Sequence, residues 1–192
     1  MKNDNHKWDN RHPTAQMLGR WQPWHDGHQK LFEETLKKTG QVNIMVRDVK
    51  GVDDNPFDFE TVKKNILEAL KDYKNRIQVT LVPNITNICY GRGVGYKIEE
   101  ILKKTGQVNI MVRDVKGVDD NPFDFETVKK NIFEALKDYK NTIQVNLVPN
   151  ITNICYGRGV GYKIEEIVLD EKTQQISATK IREQMRKEGK LK

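Results

Sequence analysis

Two histidines three positions apart, His25 and His28, stand in the run Gly19-Arg20-Trp21-Gln22-Pro23-Trp24-His25-Asp26-Gly27-His28. The preceding residues, Thr14–Arg20, form a short apolar run that reads as a buried strand, and the residues from about Gly27 to Thr39 read as a helix. The imidazoles therefore fall on a strand-to-helix turn. A helix N-terminus presents unpartnered N–H groups and the positive end of its dipole, which suits an anion. Gly19 and Gly27 let the backbone approach a ligand closely. Two imidazoles placed there can donate to phosphate oxygens and stabilise charge on a transferring phosphate and a leaving pyrophosphate. Arg20 and Lys30 are further candidates for phosphate contact. Trp21 and Trp24 either stack on a base or pack in the core. The plainer alternative is a pair of surface histidines on a turn.

A second cluster lies near the other end, Ile176-Ser177-Ala178-Thr179-Lys180-Ile181-Arg182. Ser177 can cap a helix and Thr179 lies in its first turn. Hydroxyls, free N–H groups, Lys180 and Arg182 would then converge on an anion; the alternative is an ordinary capped basic helix. The pairs Arg47/Asp48 and Arg113/Asp114 follow strands at the end where α/β proteins bind ligands. They serve either an acceptor molecule or an internal ion pair. The run GRGVGY, at 91–96 and 157–162, spaces its glycines at i, i+2 and i+4, which is not the dinucleotide fingerprint. It reads as a tight loop that places Arg158 beside a nucleotide. Cys89 and Cys155 read as small buried hydrophobes, too few for a zinc site.

The elements that must position these groups are unusual in one respect. Residues 36–101 return as 102–167, an offset of 66, with differences only at Leu67/Phe133, Arg76/Thr142 and Thr80/Asn146. Removing one copy from the 192 residues leaves 126, enough for one ordinary domain, so the whole chain, 1–192, reads as a single domain with a tandem duplication inside it. Before the duplication, residues 1–13 read as a loosely attached arm. Asp26 is the expected cap of the first helix and Gly40 its stop. Each copy then supplies a strand (41–46), a helix capped by Asp58 with Val62, Ile66, Leu70 and Tyr73 on one face, a strand (76–83) and a short strand (87–91). Strand, helix and strand in succession argue for a parallel sheet. At the junction, KIEEI runs into LKKTG and rebuilds a helix end, whereas in the second copy KIEEI runs into VLDEK. The same segment is therefore expected to be helical in the first copy and extended in the second.

Composition narrows the classes. The chain is 36% hydrophobic with a mean hydropathy of −0.75, and no apolar run approaches a membrane span. The N-terminus has no apolar core of a secretory leader, which points to a cytoplasmic protein. The net charge of +6 is concentrated at the C-terminal end. Interleaved exposed aromatics are lacking, so nucleic acid is a poor fit and cations flanking a triphosphate a better one.

Taken together, GRWQPWHDGH and ISATKIR resemble the HxGH nucleotidyltransferase superfamily, and look most like archaeal-type nicotinamide-mononucleotide adenylyltransferases and related small phage proteins. The resemblance covers both ends and one copy of the middle. It implies a Rossmann-like, doubly wound and mainly parallel sheet ordered 3-2-1-4-5. It implies that His25, His28, Lys180 and Arg182 act on phosphates and that Gly19, Arg20, Trp21, Gly27, Arg158, Ser177 and Thr179 hold the nucleotide. It further implies Mg2+ arriving with an NTP (ATP or CTP), a phosphorylated small molecule as acceptor, and pyrophosphate as product. The competing expectation is an inactive duplicated fold that only binds nucleotide. The extra copy has three conceivable places: strands in one enlarged sheet, which the junction favours; an appendage; or exchange between chains, giving a homodimer.

Overall fold

The structure is a computed structural model that describes residues 6–90, 98–156, 163–166 and 178–190. Strand β1 (Thr14–Gly19) leads through helix α1 (Asp26–Thr39) to β2 (Val42–Arg47), and helix α2 (Phe59–Ala69) leads to β3 (Ile77–Val82). β2 lies parallel to β1 from Ala15↔Val42 to Gly19↔Val46, and β3 lies parallel to β2 from Val42↔Ile77 to Arg47↔Val82. On the other side of β1 lies β7 (Ile151–Cys155), also parallel. The sheet order is β3-β2-β1-β7. Parallel strands joined by crossover helices make this a Rossmann-like α/β fold.

The fourth place in that order is taken by a strand from the second copy. The rest of the second copy goes elsewhere. Helix α3 (Ile98–Thr105) feeds β5 (Val108–Arg113), and α4 (Phe125–Ala135) feeds β6 (Ile143–Val148). β5 and β6 pair with each other, in the register of β2 and β3, from Val108↔Ile143 to Arg113↔Val148. The expected single enlarged sheet is thus, among the described residues, a four-stranded sheet plus two two-stranded ones. Closure explains the choice. β2 and β5 share the sequence VNIMVR, but β2 reaches β1 through one helix, and closing the longer loop to β5 costs more entropy.

The identical short strands are also divided. Asn153-Ile154-Cys155 of β7 pairs with β1, whereas Asn87-Ile88-Cys89 of β4 (Asn87–Tyr90) pairs with β8 (Lys163–Glu166). The shared Ile-Glu-Glu of the KIEEI segment takes both forms, while Lys97 and Ile167 lie outside the described residues. Ile98-Glu99-Glu100 opens α3, and Ile164-Glu165-Glu166 lies in β8. In α3 the following Leu102 and Lys103 continue the helix, and Gly106 (φ 73) ends it with its N–H on the Leu102 carbonyl at 2.7 Å. The downstream residues, not the segment itself, decide.

Side chains alternate across the sheet and build two cores. On one face Met17, Ile44, Val42 and Val46 meet Phe32 of α1 and Val62, Ile66 and Leu70 of the α2 region. On the other, Leu18, Met45 and Val82 meet Val148, with Met111, Ile85 and Ile88 packed against them. The second copy thus covers the face that α1 and α2 leave open. Its own helix α4 has no buried residue, while α2, of nearly the same sequence, buries Val62 and Ile66.

The arm is fastened rather than loose over its described part. The buried amide of Gln41 donates to Asp9 O at 2.7 Å and to Thr14 Oγ1 at 2.7 Å, and Asn150 Nδ2 donates to Arg11 O at 2.8 Å. Buried amides need such partners, and the arm provides them. One of the three differing positions keeps an equivalent bond and a second exchanges its partner. Thr80 Oγ1 donates to Asn43 Oδ1 at 2.9 Å where Asn146 Nδ2 donates to Asn109 Oδ1 at 2.7 Å. Arg76 donates from Nη1 to the α1-terminating Gly40 O at 2.6 Å, a bond the shorter Thr142 replaces with one to Tyr139 O at 2.9 Å.

Candidate functional site

The turn after β1 is held in an uncommon backbone shape. Trp21 has φ 56, a region that costs a non-glycine residue energy. Three contacts over-determine it. The Trp21 indole N–H donates to Met45 O at 2.9 Å. The Gln22 amide clamps Phe57 from both sides, Nε2 donating to its carbonyl and Oε1 accepting its N–H, each at 2.9 Å. Gly19 leaves room for the indole: a Cβ there would sit 2.7 Å from the Trp21 ring. Gly19→Ala should therefore displace Trp21 and cost about 1–3 kcal/mol, as overpacked cores do, read as a lower urea midpoint with an unchanged slope.

His25, not Asp26, caps α1. It is extended (φ −147, ψ 173), and its Nδ1 accepts Gly27 N–H at 3.1 Å. A residue with extended backbone at the N-cap aims its side chain at the first-turn amides, and an imidazole nitrogen can serve as the acceptor there. This assigns the proton of neutral His25 to Nε2. Gly27 also keeps the ring close, since a Cβ there would lie 3.0 Å from His25 Cε1. The Asp26-to-Gln29 capping box is not formed, and Gln29 donates to Glu33 at 2.9 Å instead.

The two imidazoles stack, ring centres 3.6 Å apart and 23° from parallel. Trp21 meets His28 edge-on at 4.8 Å, and Trp24 lies 5.4 Å from it. Burial, with the neighbouring His25 second, pushes the His28 pKa down to about 4, so the ring is neutral at ordinary pH. His28 Nδ1 and Trp24 Nε1 are both buried with no hydrogen-bond partner among the described residues. An indole nitrogen is a donor only, so whatever satisfies Trp24 must be an acceptor.

The sequence-based site residues fall into two groups. His25, His28, Gly19, Gly27, Trp21 and Trp24 come together at the carboxyl end of β1. Trp21 is a buried wall of this site, 6% exposed, and Arg20 and Lys30 are exposed beside it. The C-terminal cluster opens helix α5 (Ala178–Lys187), whose backbone includes Thr179 and Lys180. Ser177 and Arg158 lie outside the described residues. Arg182 reaches the second copy, where its Nε donates to Asp120 Oδ2 at 2.8 Å and Arg186 bonds the other oxygen. Arg186 first and Arg182 second hold the Asp120 carboxyl down at about 2. This depressed value keeps the pair intact from neutral pH down until the pH falls towards about 2. Asp120→Asn should loosen α5, seen as faster amide exchange over Ala178–Lys187 with β2 and β3 unchanged.

Arg47 is buried and donates to Asn84 Oδ1, from Nε at 3.0 Å and from Nη2 at 2.5 Å, and Arg113 binds Asn150 in the same way. The strand-end arginines thus brace the following Pro-Asn turns. Asp48 is exposed. Cys89 and Cys155 are half-buried. Gln22 and Asp120 were not singled out in the sequence, because their roles depend on the loops they meet.

The chain matches no protein-family model and no curated protein. Among the described residues no helix is long and apolar enough to cross a membrane. Among solved structures the chain is similar to a bifunctional NMN adenylyltransferase/ADP ribose pyrophosphatase of Francisella tularensis, complexed with AMP and a Mn ion, at 16% identity and a TM-score of 0.34. The match covers 91% of this chain and 41% of that one, so the chain spans about two-fifths of that protein's length. The fold stands on its own strand order, not on this likeness.

Proposed function

We propose that the chain is a cytoplasmic nucleotidyltransferase that moves a nucleoside monophosphate from ATP or CTP to a phosphorylated small molecule. The observation that carries this reading is the pair of buried, unpartnered nitrogens, His28 Nδ1 and Trp24 Nε1, beside stacked imidazoles at a helix N-terminus. Leaving such groups unpaired costs about 1–3 kcal/mol each, and an acceptor-rich ligand removes that cost. Phosphate oxygens are acceptors of this kind.

In the reaction, an acceptor phosphate oxygen forms a bond to the α-phosphorus while the bond from α-phosphorus to the bridging oxygen breaks and pyrophosphate leaves. No protein nucleophile takes part, so the chain contributes position and charge stabilisation. His25 Nε2–H and His28 donate to phosphate oxygens. Gly27 N–H becomes available when the His25 ring turns off it. Lys180, Arg182, Ser177 and Thr179 serve the β- and γ-phosphates, Arg182 exchanging Asp120 for phosphate, and Arg158 closes on the nucleotide. Among the described residues no three acidic, imidazole or thiol groups gather to hold a metal. Mg2+ bound with the triphosphate would supply neutralisation of its charge.

The Arg182–Asp120 bond favours a second reading, a fold that binds nucleotide without turning it over. Pyrophosphate release from ATP or CTP with a panel of phosphorylated acceptors separates the two: turnover establishes the first, and triphosphate binding without release establishes the second. Exchange of copies between chains would double the mass seen by light scattering.

Binding should also depend on pH. His28 is neutral with a pKa of about 4, and a bound polyanion raises that value. Binding then takes up a proton, so triphosphate affinity should rise as pH falls from ~7 towards ~5. Calorimetry in buffers of different ionisation heat should show net proton uptake, and a flat profile would contradict the assignment of His28 to phosphate.

A further inference from the structure

The two copies present the same cleft twice, once filled and once open. In the first copy the Gln22 carboxamide sits against Val46, Phe57 and Val62, bonded to both the N–H and the carbonyl of Phe57, and only about 10 Å³ is left. In the second copy the equivalent Val112, Phe123 and Val128 line a cleft of about 260 Å³, with Arg182 at its side. This is the size of a fragment-scale pocket.

The loop carrying these groups has the same backbone in both copies. Gly51 and Gly117 have φ 74 and 75, and Asp53 and Asp119 have φ 50 and 48. Gly51 N–H meets Asn55 O at 3.0 Å and Gly117 N–H meets Asn121 O at 2.9 Å. Asp58 and Asp124 cap their helices on Thr61 and Thr127 at the same 2.9 Å. Phe123 N–H and C=O therefore face the open cleft as those of Phe57 face Gln22. Among the described residues neither Phe123 group makes a hydrogen bond.

Several charges around the cleft are already engaged. Arg182 binds Asp120, Lys116 lies 3.5 Å from Asp124, and Arg113 bonds the neutral Asn150, while the Asp114 carboxylate also lines the cleft. The rest of the wall is apolar, with Phe125 and Leu147 beside the two valines. Such a cleft favours a neutral group over an anion, because Asp114 repels the anion and Arg182 and Lys116 already face carboxylates.

We propose that the second-copy cleft is a binding site for a small neutral ligand that carries a primary carboxamide on an apolar body. The amide bridges Phe123, its N–H donating to the Phe123 carbonyl and its oxygen accepting the Phe123 N–H, as Gln22 does at Phe57. None of its lining residues belongs to the histidine turn; Arg182, at its side, is shared with the phosphate role proposed above, and the amide titration needs no turnover.

The test is a titration of the ¹⁵N-labelled full chain with benzamide, followed by amide NMR. The Phe123 amide should shift and saturate at about 1–10 mM, while Phe57, already bonded to Gln22, stays still. N,N-dimethylbenzamide, which cannot donate, and benzoate, which is charged, should bind at least ~10-fold more weakly. Gln22→Ala should open the first cleft, so that Phe57 now responds and Phe123 responds as before. Leu147→Trp should fill the second cleft and remove the Phe123 response; Gln22→Ala and the ligand series decide the matter if that variant fails to fold. A Phe123 amide that does not move in the folded chain, or that moves equally with benzoate or dimethylbenzamide, overturns the proposal.

Discussion

Replacing His28 by alanine should slow pyrophosphate release by about 10²–10³-fold, the loss typical of removing one donor aimed at developing negative charge. The ring stacks on His25 at 3.6 Å and is packed by two tryptophans, so it is placed rather than free to wander. Its Nδ1 is buried and unpartnered, and its pKa is held at about 4. The unpaired nitrogen works against folding unless a ligand meets it. Stability should accordingly change by less than about 1 kcal/mol. The measurement is a pair of numbers, the rate with saturating NTP and the urea midpoint. A variant that loses both together would show the ring to be structural and would remove the main support for the phosphate site.

The duplication supplies its own control for the second result. Ile66→Ala should cost about 2–5 kcal/mol, whereas Ile132→Ala, in a helix of almost the same sequence, should cost about 1 kcal/mol or less. Ile66 is fully buried among Phe32, Val62 and Leu70, and deleting its side chain leaves a cavity that the sheet cannot collapse around. Ile132 is only half-buried, on a helix with no buried residue. Urea unfolding of the two variants side by side measures the difference directly. Equal costs would mean that the second copy carries as much of the core as the first, contrary to the packing described.

The position of the histidine turn was legible in the sequence; its contacts were not. The spacing of His25 and His28 and the apolar run before Gly19 place two imidazoles on a strand-to-helix turn, and the structure puts them there. The cap was misjudged because Asp is the commoner N-cap, yet the extended residue at that position is His25, and backbone conformation decides which side chain reaches the first amides. Arg182 was expected at an anion and is found on Asp120. Nothing local could have shown this, since the two lie 62 positions apart.

Short-range chemistry was determined by the sequence alone. Asp58 and Asp124 cap their helices, Gly40 and Gly106 end theirs at positive φ, and each VNIMVR and IQV run is a parallel strand. The fate of identical segments was decided only by the tertiary structure. One NIC strand lies beside β1 and its twin beside β8; one IEE is helix and the other strand; one cleft holds Gln22 and the other stands open. Equal sequences have equal local preferences, so only what differs between them can separate their outcomes. That difference is what flanks each segment and what it packs against, imposed from outside the segment: a shorter loop favours β2 over β5 beside β1, yet the later NIC strand, β7, and not β4 takes the opposite edge of β1.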